Sequence, residues 1–288
     1  MDAALQLKID LEKGQSYSES EILEKLFESE LVKELTHDFP GKPLSLVWRL
    51  ICISEVPFGH LLAYTKKLID KVYASFSTPF GFSLSGDEKN FLPCYNAMIV
   101  SALCRLGRAK DQQVTSALNW IYENQPMERG IVVDLSEFRF DRFGGCFKNT
   151  PCYIGLAKSV IALQNYRKAT SELKYDSKLR KGTDYMLQHK LFKRLSKDQP
   201  INQHITDISF PESYHLNVVE LIRFVHDAKL LNDDRTKDLI DFLKSRQTKD
   251  GNWKINYKYK ADGYTVFDKG RGVSKWTTYV IKWSLNME

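Results

Sequence analysis

Few residues in this 288-residue chain could do chemistry: the acidic run Asp233-Asp234-Arg235-Thr236-Lys237-Asp238, five cysteines, His215, and aromatic residues at regular intervals. Paired carboxylates on a helix can hold magnesium together with a diphosphate. The position of this pair argues for another role. Asp111 and Asp176 stand at matching helix starts earlier in the chain, so an Asp at this place reads as an N-cap and a partner of the helix dipole. Cys52, Cys94, Cys104, Cys146 and Cys152 are odd in number, irregularly spaced and without a CxxC pair, which argues against a disulfide framework and a zinc ribbon. Trp48, Tyr95, Tyr153, Tyr214 and Trp276 fall near the starts of apolar stretches, where they either line a shared cavity or pack the core.

The elements that must position these groups read as helices. Residues 1–17 carry no clear pattern and are expected to be loose. Ser18 followed by Glu21 forms a capping box for a helix from about Glu19 to Leu35, with Ile22, Leu23, Leu26 and Phe27 on its apolar side. Phe39-Pro40-Gly41-Lys42-Pro43 ends it. Helical segments are then expected over 43–56, 59–76, 93–107, 111–124, 152–166, 177–190, 212–230, 234–247 and 274–285, and no stretch alternates like a long strand.

The segments repeat. PCY at Pro93, PCY at Pro151 and ESY at Glu212 each open the more apolar helix of a pair, about 60 residues apart, and each pair continues into an Asp-started amphipathic helix. PLSLVWRLICI from Pro43 and VSKWTTYVIKWSL from Val273 look like two more helices of the apolar set. Apolar helices cannot face water, so stacked hairpins with an inner apolar ring and an outer amphipathic ring are expected.

The stretch QTKDGNW, Gln247 to Trp253, turns off a helix at Asp250-Gly251, where Gly supplies the positive φ. Trp253 can fold back on the helix end, and Gln247 can offer its amide to the freed carbonyls. This stretch resembles the Gln-Trp motif of the squalene cyclase and protein prenyltransferase superfamily. With VWRL, FLPCYNAM, HKLFKR, FPESY and SKWTTY in that order, the chain from Pro43 to Leu285 resembles short prokaryotic prenyltransferase and squalene-oxidase repeat proteins. The resemblance implies an α/α toroid. GGCFKNTPCY resembles the segment of prenyltransferase β subunits that carries a zinc-binding Cys followed by Tyr, and PESYH the segment that supplies a zinc-binding His. The resemblance thereby implies Cys152 as thiolate ligand, His215 as imidazole ligand and Tyr153 as a diphosphate contact. Thr150 stands where that family has its Asp ligand, and Phe147 where it has a diphosphate-binding Lys, with Lys148 one place off. Zinc needs three protein ligands, and Cys94 or Cys146 is the candidate third. The Asp-x-Asp-Asp acid of squalene-type cyclases is absent.

Net charge is +6, with Lys and Arg spread along the whole chain and no nucleic-acid module, so nucleic acid is not an expected partner. The N-terminus MDAALQLKIDLEKG is too polar for a signal peptide, and no apolar run nears the ~18 residues of a membrane span, so stable membrane insertion is not expected and the cytoplasm is the expected compartment. The basic, tyrosine-bearing loop 254–275 either borders the cavity mouth or is a solvated flap. The expectation is therefore all-α: an N-terminal extension, 1–42, with one helix, and an α/α toroid, 43–288, of about five hairpins, either open or closed by that helix. Its expected function is to bind an isoprenoid or lipid-like molecule in a central apolar cavity, with prenyl transfer or terpene-cyclase-like chemistry as its catalytic form. The alternatives are a non-catalytic binding or scaffold protein on the same fold, or a zinc-dependent prenyltransferase relative that needs a partner subunit. A homo-oligomer is compatible with each.

Overall fold

The computed structural model describes residues 1–38, 42–133, 135–140, 146, 150–269 and 272–287. Among these, the chain forms α-helices and one minimal hairpin, so the all-α expectation holds. The hairpin pairs β1 (Ser77–Thr78) with β2 (Gly81–Phe82). Asn96 fixes it from inside, its Oδ1 accepting from the Phe82 N–H at 2.9 Å.

Three helices precede residue 42, where one was expected: α1 (Ala3–Glu12), α2 (Glu19–Glu28) and α3 (Glu30–Thr36). α1 was missed because its apolar residues form no clean helical stripe. Asp2 caps it by accepting from the Ala4 N–H at 3.0 Å, and Ala4, Leu5 and Leu7 are buried in the same core as the rest of the chain. The Ser18–Glu21 capping box forms as expected. The single helix over 19–35 does not, because Ser29 leaves helical geometry and accepts from the Val32 N–H, starting a second helix. Asp2 holds that break, accepting from Ser29 Oγ at 2.8 Å and from the Leu31 N–H at 3.2 Å. The proposed breaker Phe39-Pro40-Gly41 lies outside the described residues.

The remaining helices follow the sequence pattern: α4 (Pro43–Ile53), α5 (Ala63–Phe76), α6 (Pro93–Arg105), α7 (Gln112–Asn124), α8 (Tyr153–Thr170), α9 (Asp176–Gln188), α10 (Val218–Asp227), α11 (Lys237–Ser245) and α12 (Lys275–Ser284). The apolar helices α4, α6, α8, α10 and α12 neighbour one another in chain order. α5, α7, α9 and α11 each lie against the helix before them. α6 is buried on all sides apart from a few residues, whereas α11 buries only Leu239 and Leu243. α3 touches α4, and the Tyr279 hydroxyl of α12 donates to Glu12 at the end of α1 at 2.5 Å, so the N-terminal helices span the two ends of the series. No described helix is long and apolar enough to cross a membrane.

The largest departure is at α10, which begins at Val218 instead of 212. Asn217 starts it, accepting from the Val219 and Glu220 N–H groups at 2.9 and 3.1 Å. Residues 208–217 run non-helically through the interior, with a cis peptide at Phe210-Pro211, and Ser209, Phe210, Glu212, Ser213 and Asn217 are buried.

The Asp residues at helix starts serve in three ways. Asp233 caps by accepting from the Arg235 N–H, and its carboxylate also pairs with the Arg235 guanidinium. Asp111 stands at the cap position but accepts from the Tyr73 hydroxyl at 2.7 Å. Asp176 is the first helical residue of α9 and pairs with Arg167 at 3.0 Å.

The Gln247–Trp253 turn closes as a knot between α11 and α12. Trp253 is fully buried, and its indole N–H donates to the Leu243 carbonyl at 2.8 Å, taking the capping role expected of Gln247. The Gln247 amide donates instead to Gly251 O at 3.0 Å, closing its own turn. The Trp253 main chain exchanges bonds with Thr278 Oγ1 at 2.9 and 3.1 Å. Trp253→Ala is expected to lower unfolding stability by about 3–5 kcal/mol, whereas Gln247→Ala at the half-exposed turn costs about 1 kcal/mol, both measured by urea denaturation.

Candidate functional site

One end of the apolar helix series is aromatic. The first turn of α6 presents Tyr95, the middle of α4 presents Trp48, and segment 208–217 presents Tyr214. Trp48 meets Tyr95 edge-on at 5.8 Å, and Tyr95 stacks on Tyr214 at 5.8 Å. Over them runs the strap 254–264. Its lysines at 254, 258 and 260 are exposed, while Tyr257 and Tyr259 turn inward and are half-buried. Tyr259 lies 5.0 Å from Trp48 and 5.1 Å from Tyr264. Tyr264 donates its hydroxyl to Pro211 O at 2.7 Å, which ties the strap to the segment beneath. The tyrosines of this loop thus turn towards the aromatic groups while its lysines stay in water.

Two of the five candidate aromatics stand elsewhere. Tyr153 donates its hydroxyl to Leu191 O at 2.5 Å and packs on His189 at 5.0 Å, beyond the C-terminal end of α9. Trp276 packs on Phe267 at 5.0 Å and Phe210 at 6.2 Å. Both are consumed by core packing, so the equivalence of their repeat positions does not carry over to direction. His204 was missed. It stacks on His215 at 4.1 Å, with Tyr257 at 4.8 Å, and its Nδ1 meets Asp207 at 2.8 Å. Burial first, and then the neighbouring His204, hold the His215 pKa below its ordinary value, so its ring is neutral at neutral pH.

The thiols gather at the adjoining helix starts. The Cys152 N–H donates to Cys146 O at 2.9 Å, and Gly155 at the start of α8 faces Pro93 and Cys94 of α6. Burial, reinforced by Cys152 and Cys146, pushes the Cys94 thiol up to about 12, and burial pushes Cys146 up to about 11. With no metal beside them, thiols so shifted stay protonated at neutral pH. Among the described residues no group of three or more His, Cys, Asp or Glu side chains could hold a metal ion, and Cys94, Cys152 and His215 do not assemble as one. Phe147 and Lys148 lie outside the described residues.

Beneath the aromatic end, six charges gather: Glu55, Lys158, Glu212 and Glu220 are buried, and Arg105 and Arg223 are half-buried. Arg223 grips Glu55 in two bonds, at 2.8 and 2.7 Å. Arg105 bonds Glu212 and lies 3.6 Å from Glu55. Lys158 donates to both Glu220 oxygens at 2.7 and 2.6 Å, to Glu212 at 3.2 Å and to Ser213 O at 3.0 Å. Lys158 is only 1 % exposed, so every one of its donors must be satisfied by protein. Burial alone would raise the Glu212 pKa, but Arg105 and Lys158 hold it well below the usual carboxylate range. For Glu220 the balance tips the other way. Burial, with the Glu212 charge beside it, pushes its carboxyl up to about 8 against the pull of Lys158.

Sequence reading missed this network because its members come from three helices and two connecting segments. One signal was available: Lys158 sits in the otherwise apolar run YIGLAKSVIAL, and a lone Lys on a buried helix demands a partner. Chemically, the cluster can hold a proton on Glu220 near neutral pH, as a weak acid. The strong acid that protonates an alkene requires the opposite shift.

Compared with known proteins, the chain matches no family profile, no curated protein and no solved structure.

A carboxyl with a higher pKa in the fold than in the unfolded chain stabilises the fold fully below its unfolded value, 4.5, and that contribution is lost as pH rises through about 8. Urea midpoints taken across this window are therefore expected to fall less steeply for Glu220→Gln than for the parent. Parallel curves would place the retained proton elsewhere.

Proposed function

We propose that the four helix pairs and α12 close into an α/α toroid whose aromatic end binds an isoprenoid or similar lipid-like molecule. The toroid is supported by the order of neighbours, apolar helix against apolar helix, with an amphipathic partner on each of the first four. The binding reading rests on one observation above the others. Trp48, Tyr95, Tyr214, Tyr259 and Tyr264 form a continuous aromatic group built from four separate segments, and all but Trp48 keep part of their surface open. Rings assembled from distant segments offer flat, polarisable surface suited to an unsaturated hydrocarbon chain. Lys254, Lys258 and Lys260 on the outer side of the strap supply positive charge near an anionic head group.

Binding without turnover is favoured over cyclisation. The buried carboxyl here is a weakened acid, and paired charges occupy the interior below the rings. A zinc-dependent transfer would require a third donor beside Cys152 and His215, and no such set assembles among the described residues.

Native mass spectrometry of the purified protein, before and after lipid extraction, is expected to reveal a bound isoprenoid or lipid. Re-addition of geranylgeraniol to the extracted protein should change tryptophan fluorescence through Trp48. Tyr259→Ala is expected to weaken that binding about tenfold, the loss of one well-packed ring contact. An empty protein that also ignores the added alcohol would overturn the reading, as would a Tyr259→Ala titration identical to the parent.

A further inference from the structure

The stretch HKLFKR, His189 to Arg194, closes α9 in a way its sequence does not favour. Lys190 and Leu191 follow the helix with φ of 46° and 69°, left-handed geometry that ordinarily falls to Gly. Bonds on every side hold the chain there. The Lys190 and Leu191 N–H groups donate back to Leu187 O and Met186 O, both at 2.8 Å. The Tyr153 hydroxyl at the start of α8 holds Leu191 O, and Phe192 packs on Phe242 of α11 at 5.7 Å. Lys190 and Lys193 reach Asp238 of α11 at 2.9 and 2.7 Å. His189 and Lys193 bond each other twice, the Lys193 N–H to His189 O and the His189 Nδ1 to Lys193 O, each at 2.8 Å.

That last bond fixes the state of the ring. A carbonyl oxygen only accepts, so Nδ1 carries the proton and Nε2 keeps a bare lone pair. His189 is buried between Tyr153 at 5.0 Å and Tyr185 at 4.9 Å, and its Nε2 has almost no surface open to water and no partner among the described residues. A second proton, on Nε2, would be a buried donor without an acceptor on a ring that carries charge. The groups around it offer little relief. The Tyr153 hydroxyl is engaged with Leu191 O, and that of Tyr185 accepts from Arg129 Nε at 3.3 Å. Of the acids on the surrounding elements, Asp184 pairs with Arg235, Glu128 with Lys181, and Asp198 and Asp238 with Lys193. Burial lowers the His189 pKa by more than its bond to Lys193 O raises it, and the Arg129 charge lowers it further.

We propose that His189 is an acid-sensitive latch on loop 189–201: protonation of its ring, which the buried seat cannot accommodate, releases the loop from α8 and α11 while the apolar helices stay packed. The Tyr153 freed by this release opens α8, whose Gly155 faces Cys94 beside Tyr95, so the loosening reaches the helix starts next to the aromatic end. A ring whose pKa is lower in the fold than in the unfolded chain stabilises the fold fully above its unfolded value, 6.5, and that contribution is lost as pH falls.

Hydrogen exchange of the full chain at about pH 7.5 and about pH 5.5, corrected for the intrinsic pH dependence of exchange, tests this. The amides of Lys190, Leu191, Lys193 and Ile201 are expected to lose at least about threefold in protection at the lower pH, while those of α6 lose none. His189→Phe keeps a ring between the two tyrosines, and His189→Gln keeps a side-chain amide donor. Neither can take a proton, so in each the loop should be equally protected at both pH values. Protection in the parent loop that does not change with pH would overturn the proposal, as would an acid-induced loss that persists in either variant or that α6 shares.

Discussion

Glu212 is a carboxylate with almost no water around it, and the interior is arranged so that it need not be uncharged. Arg105 from α6 and Lys158 from α8 reach it from separate helices. Lys158 also holds Glu220 of α10, and Arg105 approaches Glu55, which receives Arg223 of α10. Removing such charges from water costs about several kcal/mol per ion, returned only when every group keeps its partners in register. The cluster therefore acts as a positional constraint on α4, α6, α8 and α10 more than as a source of net stability. It also explains why α10 starts late. A helix from residue 212 onward would turn the Glu212 side chain with the helical repeat, whereas the non-helical segment through 217 leaves it free to point where Arg105 and Lys158 converge.

The aromatic end inherits that constraint. Tyr214 is two residues beyond Glu212, and Tyr264 bonds the carbonyl of Pro211, one residue before it. Segment and strap are further joined where the Asn256 N–H donates to Ile208 O at 3.1 Å and the Phe267 N–H to Phe210 O at 3.3 Å. The rings on which the proposed ligand would rest are thus placed from beneath by paired charges and from above by a strap whose lysines face water. A hydrocarbon chain bound there as proposed would find apolar surface at the rings and none among the charges below.

What was legible in the sequence was local. The helix boundaries from α4 onward, apart from the start of α10, with the Ser18–Glu21 capping box and the Asp250-Gly251 turn, follow from periodicity and backbone conformation, which a window of a few residues encodes. Trp253 was legible in part: folding back was expected, but which group caps Leu243 depends on where the indole lands. α1 escaped because its stability comes from distant packing and from Asp2 serving two helix starts at once. The repeat register placed Tyr95, Tyr153 and Tyr214 at helix starts, but Tyr214 lies in the non-helical segment before α10 and Tyr153 turns towards Leu191, since side-chain direction depends on the neighbouring pair. The ion cluster was least legible. Each member is an ordinary charged residue, and only their convergence across about 170 residues, as between Glu55 and Arg223, gives them a joint role.

Native-state hydrogen exchange on the parent and on Glu212→Gln tests most directly whether one buried carboxylate organises this interior. If it does, the core amides of α4, α6, α8 and α10 open together in the parent, and the substitution lowers protection in all four helices by the same amount. Loss of protection confined to residues 208–217, with the four helices unchanged, would contradict it.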